Sequence, residues 1–350
     1  MIYNSIGTKK FNIPFRIFNN NDYFAFSKVG TFLIDNSLGP DGGEGIDHNK
    51  ANSIKKAFSE MLERRALMVG VDKTRNIKSL NLVDKRCNEI PLKNFCYSTD
   101  KFSYNDTTGA AAHLKGSKAL LNALVEIIQK NELLIFWYLK QGYSIRTSDI
   151  LNKVKIDGVR NYKNIQFFIS NYFKPLITSI CIVFDKCHEC IISSGLGTDT
   201  NVYKAIRLSF EEMKLIKEQD TINKKYSELL GNIRDSNYVD AHSTLNSSEY
   251  LLKFTRNFAY YNIGKWEIKD EMSIFKIVNA LPPWIKTLFV ALLPNTINPS
   301  MKIVKIISDE LFNSIPIKEI IFRNKKLHNF PFDFESLNTN IIEAPDCPVI

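Results

Sequence analysis

The chain has 350 residues, a net charge of +9 and 44% hydrophobic residues, a globular composition that excludes a disordered or collagen-like chain. No segment reaches the roughly 18 uninterrupted apolar residues of a membrane helix, and the first residues lack the apolar core of a signal peptide. We therefore expect a cytoplasmic protein without a membrane partner. The positive charge would suit phosphates, nucleic acid or an acidic peptide, but the lysines are scattered, which favours ordinary solvated side chains.

An internal repeat is the most informative feature of the sequence. Three segments each run from a glycine-containing extended stretch through a short polar link into an amphipathic helix that carries a glutamate. The segments begin at Gly43-Glu44-Gly45, Gly109-Ala110-Ala111 and Gly195-Leu196-Gly197, and their helices carry Glu60, Glu126 and Glu212. The second glycine precedes the glutamate by 15 residues in the outer copies, whereas Gly109 precedes Glu126 by 17. The middle copy is therefore expected to be slightly longer.

The helices of the repeat have apolar residues at helical spacing, which predicts a buried face on each. Strand-like runs at 31–34, 165–169 and 180–184 alternate with these helices. This order predicts an α/β fold with helices packed on β-sheets and built on three strand–helix repeats. In the first helix the predicted buried residues are Ile54, Ala57, Phe58, Met61 and Leu62, and in the second Leu120, Leu121, Leu124, Ile127 and Ile128.

The domain organisation follows from the absence of a linker within the repeats. We expect a single domain over residues 1–350, with a further strand at 301–307 and an extended, proline-bearing tail at 330–350. The segment around Cys181, Cys187, His188 and Cys190 reads as a β-hairpin with the Cys-x-x-Cys pair at its tip. It lacks an obvious second ligand pair, so we expect no zinc there.

Carboxylates on the repeated helices are the candidate site residues. Glu60 and Glu63 are three residues apart and share a helix face, and Glu126 takes the place of Glu60 in the second copy. Facing carboxylates would suit Mg²⁺, which usually also binds substrate phosphates and so indicates ATP. The alternative is that these glutamates simply face solvent, as helical glutamates commonly do. The sequence has no P-loop, nucleophile elbow or His-Glu-x-x-His zinc motif.

The three segments, in this order, resemble the signatures of the YcaO-like family, over about residues 40–220. AFSEMLERR resembles the first signature, TTGAAAHLKGSKALLNALVEIIQKNELLIFW the second, and GLGTDTNVYKAIRLSFEEM the third. We assign residues 221–350 to the same domain. The resemblance implies an ATP and Mg²⁺ site, with Mg²⁺ held by Glu60, Glu63 and Glu126, and with the matched site residues Glu60, Glu63, Arg64, Glu126, Gln129, Lys130 and Glu212. It identifies no catalytic residue.

The resemblance also implies a reaction. A Cys, Ser or Thr side chain of a precursor peptide adds to the preceding backbone carbonyl, ATP phosphorylates the resulting oxygen, and elimination leaves an azoline ring. The chain would then be an ATP-dependent cyclodehydratase that forms thiazole or oxazole precursors in a ribosomally made peptide such as a bacteriocin. The implied partners are the precursor peptide and a separate leader-binding protein of the E1-like or ThiF-like type, and a homodimer is left open.

Departures from the family pattern leave two other functions open. Gln129 and Lys130 stand where the second signature has Glu and Arg, and Lys118 stands where it has another Glu. These two acid losses would lower the negative charge available to a divalent cation. The chain could therefore be an ATP-inactive scaffold that binds peptide or a partner. A basic nucleic-acid-binding protein is the third possibility. The further departures are Lys56, Leu114, Lys118, Leu208 and Lys217.

Overall fold

The computed structural model describes residues 23–28, 30, 33–34, 37–40, 42–68, 75–98, 104–154, 156, 158–185, 190–229, 241–263, 272–295, 297–323 and 341–348. The described residues form two compact units. The first unit contains the residues up to Leu124 together with Thr287–Ser308, and the second contains Val125–Lys286 and the residues from Asp309 on. The expectation of a single domain stays a prediction.

The first unit combines antiparallel sheets with two helices. A five-stranded sheet has the order β6-β5-β12-β13-β7, β1 pairs with β4, and β2 pairs with β3. The elements are β1 (Tyr23–Lys28), β2 (Leu33–Ile34), β3 (Ser37–Leu38), β4 (Gly42–Asp47), α1 (Lys50–Met68), β5 (Asn76–Asn81), β6 (Cys87–Pro91), a 3₁₀ turn (Leu92–Asn94), β7 (Ala110–His113), the start of α2 (Gly116–Tyr138), β12 (Phe289–Leu293) and β13 (Lys302–Ile307).

The core of the first unit joins α1 to one face of the five-stranded sheet. Met61, Leu62 and Leu67 of the helix pack against Ala291 of β12 and Ile303 of β13. The predicted strand at 301–307 is confirmed by β13, although the pairing of β13 with β7, nearly 190 residues earlier, could not be foreseen.

One part of the predicted helix face is wrong. Ile54 and Phe58 of α1 are 38% and 36% exposed, whereas Ser53, Ala57 and Met61 are buried. The buried stripe has a spacing of four residues, with small side chains at Ser53 and Ala57, because the α1 backbone lies directly on Gly43 and Gly45 of β4. In α2, Leu121, Leu124, Ile127 and Ile128 are buried as predicted, and Leu120 is half-buried.

The second unit is an antiparallel sheet of order β11-β10-β9-β8, covered by long helices. Its core includes Phe167, Cys181, Ile206, Phe210 and Met213. Its elements are the rest of α2, β8 (Tyr143–Ile145), α3 (Thr147–Asp149), a π-helical turn (Ile150–Val154), a 3₁₀ turn (Val159–Asn161), β9 (Ile165–Ser170), β10 (Ile177–Phe184), β11 (Ile191–Asp199), α4 (Val202–Leu229), α5 (Ala241–Thr255), α6 (Ile274–Ala280) and α7 (Lys318–Arg323).

The strands β10 and β11 pair antiparallel as a hairpin, which confirms that prediction. Cys190 lies just before β11, whereas Cys187 and His188 lie outside the described residues, so the absence of zinc at the hairpin tip stays a prediction. Helices on antiparallel sheets confirm the predicted mixture of α and β structure. Among the helices that the structure describes, none is long and apolar enough to span a membrane.

Candidate site on the repeated strand–helix units

The three strand-to-helix turns share one geometry. In each, the last strand residue accepts, through its side chain, a hydrogen bond from the backbone N–H two residues later, a local turn that sets the direction of the helix. Each helix then begins three residues after this acceptor, at Lys50, Gly116 and Val202. The acceptor and donor residues are Asp47 and Asn49 (2.8 Å), His113 and Lys115 (2.9 Å), and Asp199 and Asn201 (3.0 Å).

Counted from these turns, the three copies have the same length. Glu60, Glu126 and Glu212 each follow their turn acceptor by 13 residues. The expectation of a longer middle copy is therefore wrong. Ala111 occupies the position of the second glycine in the middle copy, and it precedes Glu126 by the same 15 residues that separate Gly45 from Glu60.

Paired glycines in the outer copies bring strand and helix backbones into contact. A Cβ at Gly195 would lie 2.2 Å from the Met213 nitrogen, and one at Gly197 would lie 2.2 Å from the Ala205 carbonyl oxygen. Gly43 and Gly45 lie equally close to the backbone of α1. No side chain fits in these spaces, so each Gly-x-Gly pair is required by the packing of strand on helix.

In the outer copies, the helix glutamate accepts a hydrogen bond from the backbone N–H of the strand residue that lies between the paired glycines. Leu196 N–H donates to Glu212 Oε2 at 2.8 Å, and Glu44 N–H donates to Glu60 Oε2 at 2.5 Å. Among the described strands, β4 pairs only with β1 and β11 only with β10, so each has an open edge on which the glutamate carboxylate supplies an acceptor for a backbone N–H. Glu60 and Glu212 therefore have a structural role that is visible in the contacts themselves.

Arg64 extends the tie in the first copy. Its Nη2 lies 2.6 Å from Glu60 Oε1, four residues earlier on the helix, and its Nη1 donates to the carbonyl oxygen of Gly42. Glu60 thus uses one oxygen for the strand and the other for Arg64. The arrangement fixes the Glu60 carboxylate in one orientation, because a charged hydrogen bond holds each oxygen.

The middle copy is built differently. Ala110 occupies the strand position of Glu44. Its backbone N–H donates to the carbonyl oxygen of Thr107 at 3.0 Å. Gly109 has a φ of 76°, which lets the chain turn into β7 at this point. Glu126 is half-buried in α2. In this copy a backbone carbonyl therefore accepts the strand N–H that Glu60 and Glu212 accept in the outer copies.

The equal register shows how the candidate residues correspond. Gln129 occupies the position of Glu63, and Lys130 occupies that of Arg64. Glu63 and Gln129 are half-buried, and Lys130 is 9% exposed. In the third copy the same two positions hold Leu215 and Ile216. The series changes from Glu and Arg through Gln and Lys to two apolar residues, so the number of charged side chains falls from two through one to none.

The described residues contain no group of three or more His, Cys, Asp or Glu side chains that could hold a metal ion by themselves. A magnesium ion that is shared with nucleotide phosphates uses only one or two carboxylates. The assignment of Glu60, Glu63 and Glu126 to Mg²⁺ therefore stays a prediction.

Comparison with known proteins identifies the fold. No protein-family model matches the sequence, and a search of curated proteins found no match. YcaO from Methanopyrus kandleri, bound with AMPPCP and Mg²⁺, matches with a TM-score of 0.60 at 12% identity, over 84% of this chain and 86% of that one. The Escherichia coli microcin synthetase McbBCD complex with pro-MccB17 bound matches with a TM-score of 0.62 at 16% identity, over 88% of this chain and 90% of the matched one.

The chain has a YcaO-like fold. The resemblance inferred from the three segments is thus confirmed for the fold. A heterocyclase in complex with substrate and cofactor also has this fold, with a TM-score of 0.55 at 12% identity over 75% of this chain and 44% of that one.

Two buried charged residues of this YcaO-like fold were missed by the sequence analysis. Lys305, fully buried in β13, donates to the carbonyl oxygens of Asp106 and Thr108. Glu132 in α2 is also fully buried, and it accepts hydrogen bonds from Ser170 Oγ and from Phe173 N at 2.6 Å. Burial raises the pKa of Glu132 to about 7, although these hydrogen bonds oppose the shift. The available signal was one charged residue inside an apolar run.

Proposed function

We propose that this chain is the YcaO-like component of a peptide-modifying synthetase that activates backbone amides of a precursor peptide with ATP and forms azoline rings. One observation carries the proposal: three strand–helix units of equal register present a glutamate at the same helical position, within a YcaO-like fold. Further support comes from the M. kandleri structure, which is bound with AMPPCP and Mg²⁺.

The charges of the candidate residues fit a magnesium nucleotide. A carboxylate has about four lone-pair sites, so the two hydrogen bonds at Glu60 leave acceptor capacity for a cation. Glu63 would supply a further carboxylate, and Arg64 would neutralise phosphate oxygens. Glu126 and Lys130 are assigned the same two roles by the family resemblance alone. When bound, ATP supplies the phosphoryl group that turns a peptide carbonyl oxygen into a leaving group.

The contacts of Glu60 suggest what this chain contributes to catalysis. Its carboxylate is held by Arg64 and by the N–H of Glu44 before any ligand arrives. A preorganised charge costs no reorganisation during the reaction, which is the main source of electrostatic catalysis. Lys130, 9% exposed, would act on phosphate as a point charge without the bidentate geometry of arginine.

The proposal includes partners and a compartment. The E. coli microcin synthetase is a complex of several proteins with pro-MccB17 bound. By analogy, a precursor peptide and a separate leader-binding protein of the E1-like type would work with this chain, in the cytoplasm, where ATP is available.

A second candidate function is an ATP-inactive scaffold. It is favoured by Gln129 and Lys130, which replace the charged pair found as Glu63 and Arg64 in the first copy. A neutral amide compensates a divalent cation less than a carboxylate does. The scaffold would keep the fold and bind peptide or partner without turning over nucleotide.

Glu126→Gln is the decisive test, because Glu60 also ties a strand and its substitution would mix structure with function. If the natural chain binds MgATP, millimolar nucleotide should raise its melting temperature, since a ligand at 100 times its Kd stabilises by about 2.7 kcal/mol. Glu126→Gln should abolish the shift and ATP turnover with peptide and partner present. Glu211→Gln, at a half-buried position in α4, is the matched control and should keep both.

The scaffold function makes the opposite prediction. The natural chain should then show no MgATP shift, and the triple substitution Lys118→Glu, Gln129→Glu and Lys130→Arg should create one by restoring the family pattern. A shift in the natural chain that Glu126→Gln removes excludes the scaffold. No shift in either the natural or the restored chain, with partner and peptide present, contradicts both functions.

A further inference from the structure

The C-terminal residues 341–348, which we name the tail segment, are held in the second unit. The segment makes one helical turn and then runs on without helix or strand structure. Ile341, Ala344 and Cys347 are buried at a spacing of three residues, whereas Ile342 and Glu343 are exposed. Its interactions are therefore concentrated on one side.

The tail segment accepts hydrogen bonds mainly at its backbone carbonyls, and the Asp346 carboxylate accepts one more from the Lys318 backbone N–H at 2.8 Å. Side chains from four separate elements, α2, α5, α7 and β11, donate hydrogen bonds to five of its carbonyl oxygens. The donors and acceptors are Trp137 Nε1 to Pro345 O (2.9 Å), Lys318 Nζ to Ile342 O (2.9 Å) and Ala344 O (2.7 Å), Ser247 Oγ to Asp346 O (3.2 Å), and Ser194 Oγ to Pro348 O (3.5 Å).

This pattern is that of a peptide held in a groove. Carbonyl oxygens are present at every position of any peptide, so donors directed at them bind the main chain with little regard to sequence. Pro345 and Pro348 have no backbone N–H and cannot join a sheet ladder, so a carbonyl-directed groove suits them. The position of the donor Trp137 is fixed by Tyr250. Their ring centroids are 5.2 Å apart, and the Tyr250 hydroxyl donates to the Trp137 carbonyl oxygen.

We propose that these side chains form a peptide-binding groove, which the chain's own tail segment fills and which a segment of the precursor peptide enters when the tail segment leaves. The groove buries only small side chains after its helical turn, those of Ala344 and Cys347. Cys and the equally small Ser are residue types on which azoline formation acts. Naming the precursor as the second occupant rests on the proposed function, whereas the groove itself does not.

The test releases the tail segment in the full chain and adds the same segment as a separate peptide. Ala344→Arg places a charge at a buried tail position and should free the groove. Glu343→Arg makes a similar change at the exposed neighbour and is the matched control. A tethered segment competes at an effective concentration near millimolar. The fluorescently labelled peptide of residues 341–348 should therefore bind Ala344→Arg at least tenfold more tightly than Glu343→Arg or the natural chain, by fluorescence anisotropy.

Further measurements distinguish loss of the groove from a failure of the variant to fold. Equal binding to Ala344→Arg and Glu343→Arg overturns the groove. If Ala344→Arg fails to fold by circular dichroism, Cys347→Arg is the second release variant and is judged in the same way. Trp137→Phe in the released chain should weaken binding severalfold by removing one donor, and unchanged binding would contradict the assigned contacts.

The identity of the second occupant is tested with variant peptides. A Ser-for-Cys peptide should bind within about threefold of the original and a Trp-for-Cys peptide at least tenfold more weakly, because the buried position accepts only small groups. Equal binding of the Trp peptide would overturn the precursor assignment and leave the groove standing. The MgATP test with Glu126→Gln judges the proposed function separately, since the groove requires no nucleotide.

Discussion

Gly195→Ala tests the contact between strand and helix that organises the outer copies of the repeat. The added Cβ would lie 2.2 Å from the Met213 nitrogen and 2.3 Å from the Ser209 oxygen, and both are backbone atoms of α4. No side-chain rotation can relieve this overlap, so β11 and α4 must separate. Overpacking of this kind costs about 1–3 kcal/mol, and the weakened bond from Leu196 N–H to Glu212 adds about 1 kcal/mol.

The expected loss of about 3 kcal/mol is a large part of the roughly 5–15 kcal/mol that stabilises a typical domain. With an unfolding entropy of about 2.1 cal/mol/K per residue, it corresponds to a fall in Tm of about 4 °C if the 350 residues unfold together. Thermal unfolding followed by circular dichroism measures this directly.

Gly116→Ala is the matched control for the same chemical change. Gly116 is the first residue of α2, and the nearest atom to an added Cβ is Lys302 Cγ at 3.9 Å. Alanine there should raise the stability by about 0.5 kcal/mol, because it favours the helix and restricts the unfolded chain. The two variants should therefore shift Tm in opposite directions. A Tm for Gly195→Ala within about 1 °C of the natural chain would refute the close-contact argument.

Two further predictions concern carboxylates that accept backbone hydrogen bonds. Glu212→Ala leaves the Leu196 N–H without its acceptor and should lower the free energy of unfolding in urea by about 1–3 kcal/mol. The control Glu211→Ala should change it by less than about 0.5 kcal/mol. Equal effects of the two variants would contradict the structural role of the bond from Leu196 to Glu212. Because burial raises the pKa of Glu132 to about 7, the folded chain keeps a proton that the unfolded chain loses, so stability should fall by up to about 3 kcal/mol between about pH 4.5 and 7 and then level off. Glu132→Gln should remove this part of the pH dependence, and an unchanged slope would show that other groups cause it.

The repeat could be predicted because its determinants are local. The paired glycines, the turn acceptor and the helix glutamate lie within about 20 residues of one another, and a fixed spacing in sequence becomes a fixed geometry. The hairpin of β10 and β11 was foreseen for the same reason, since its strands are close in sequence.

The hydrogen-bond partners of the three helix glutamates could not be predicted from the sequence. Spacing places Glu60, Glu126 and Glu212 at equivalent helix positions, but it does not reveal which backbone N–H each one meets. That depends on whether the facing strand carries two glycines, as in the outer copies, or Ala111, as in the middle one. The burial of Ile54 and Phe58 was overestimated because helical periodicity alone does not show how narrow the contact with β4 is.

The insertion of β12 and β13 into the first sheet has a consequence for biosynthesis. These strands lie between β5 and β7 in the sheet, yet they follow β7 by about 180 residues in the chain. During translation, β7 must wait without its sheet neighbour β13, and β5, which pairs with β6, must wait without its second neighbour β12, while the ribosome makes the intervening residues at about 5–20 residues per second. The run from β9 to α4 has its partners nearby and can fold as it emerges. The chain should therefore mature from its middle outward, with the N-terminal strands as the segment that most needs chaperone protection.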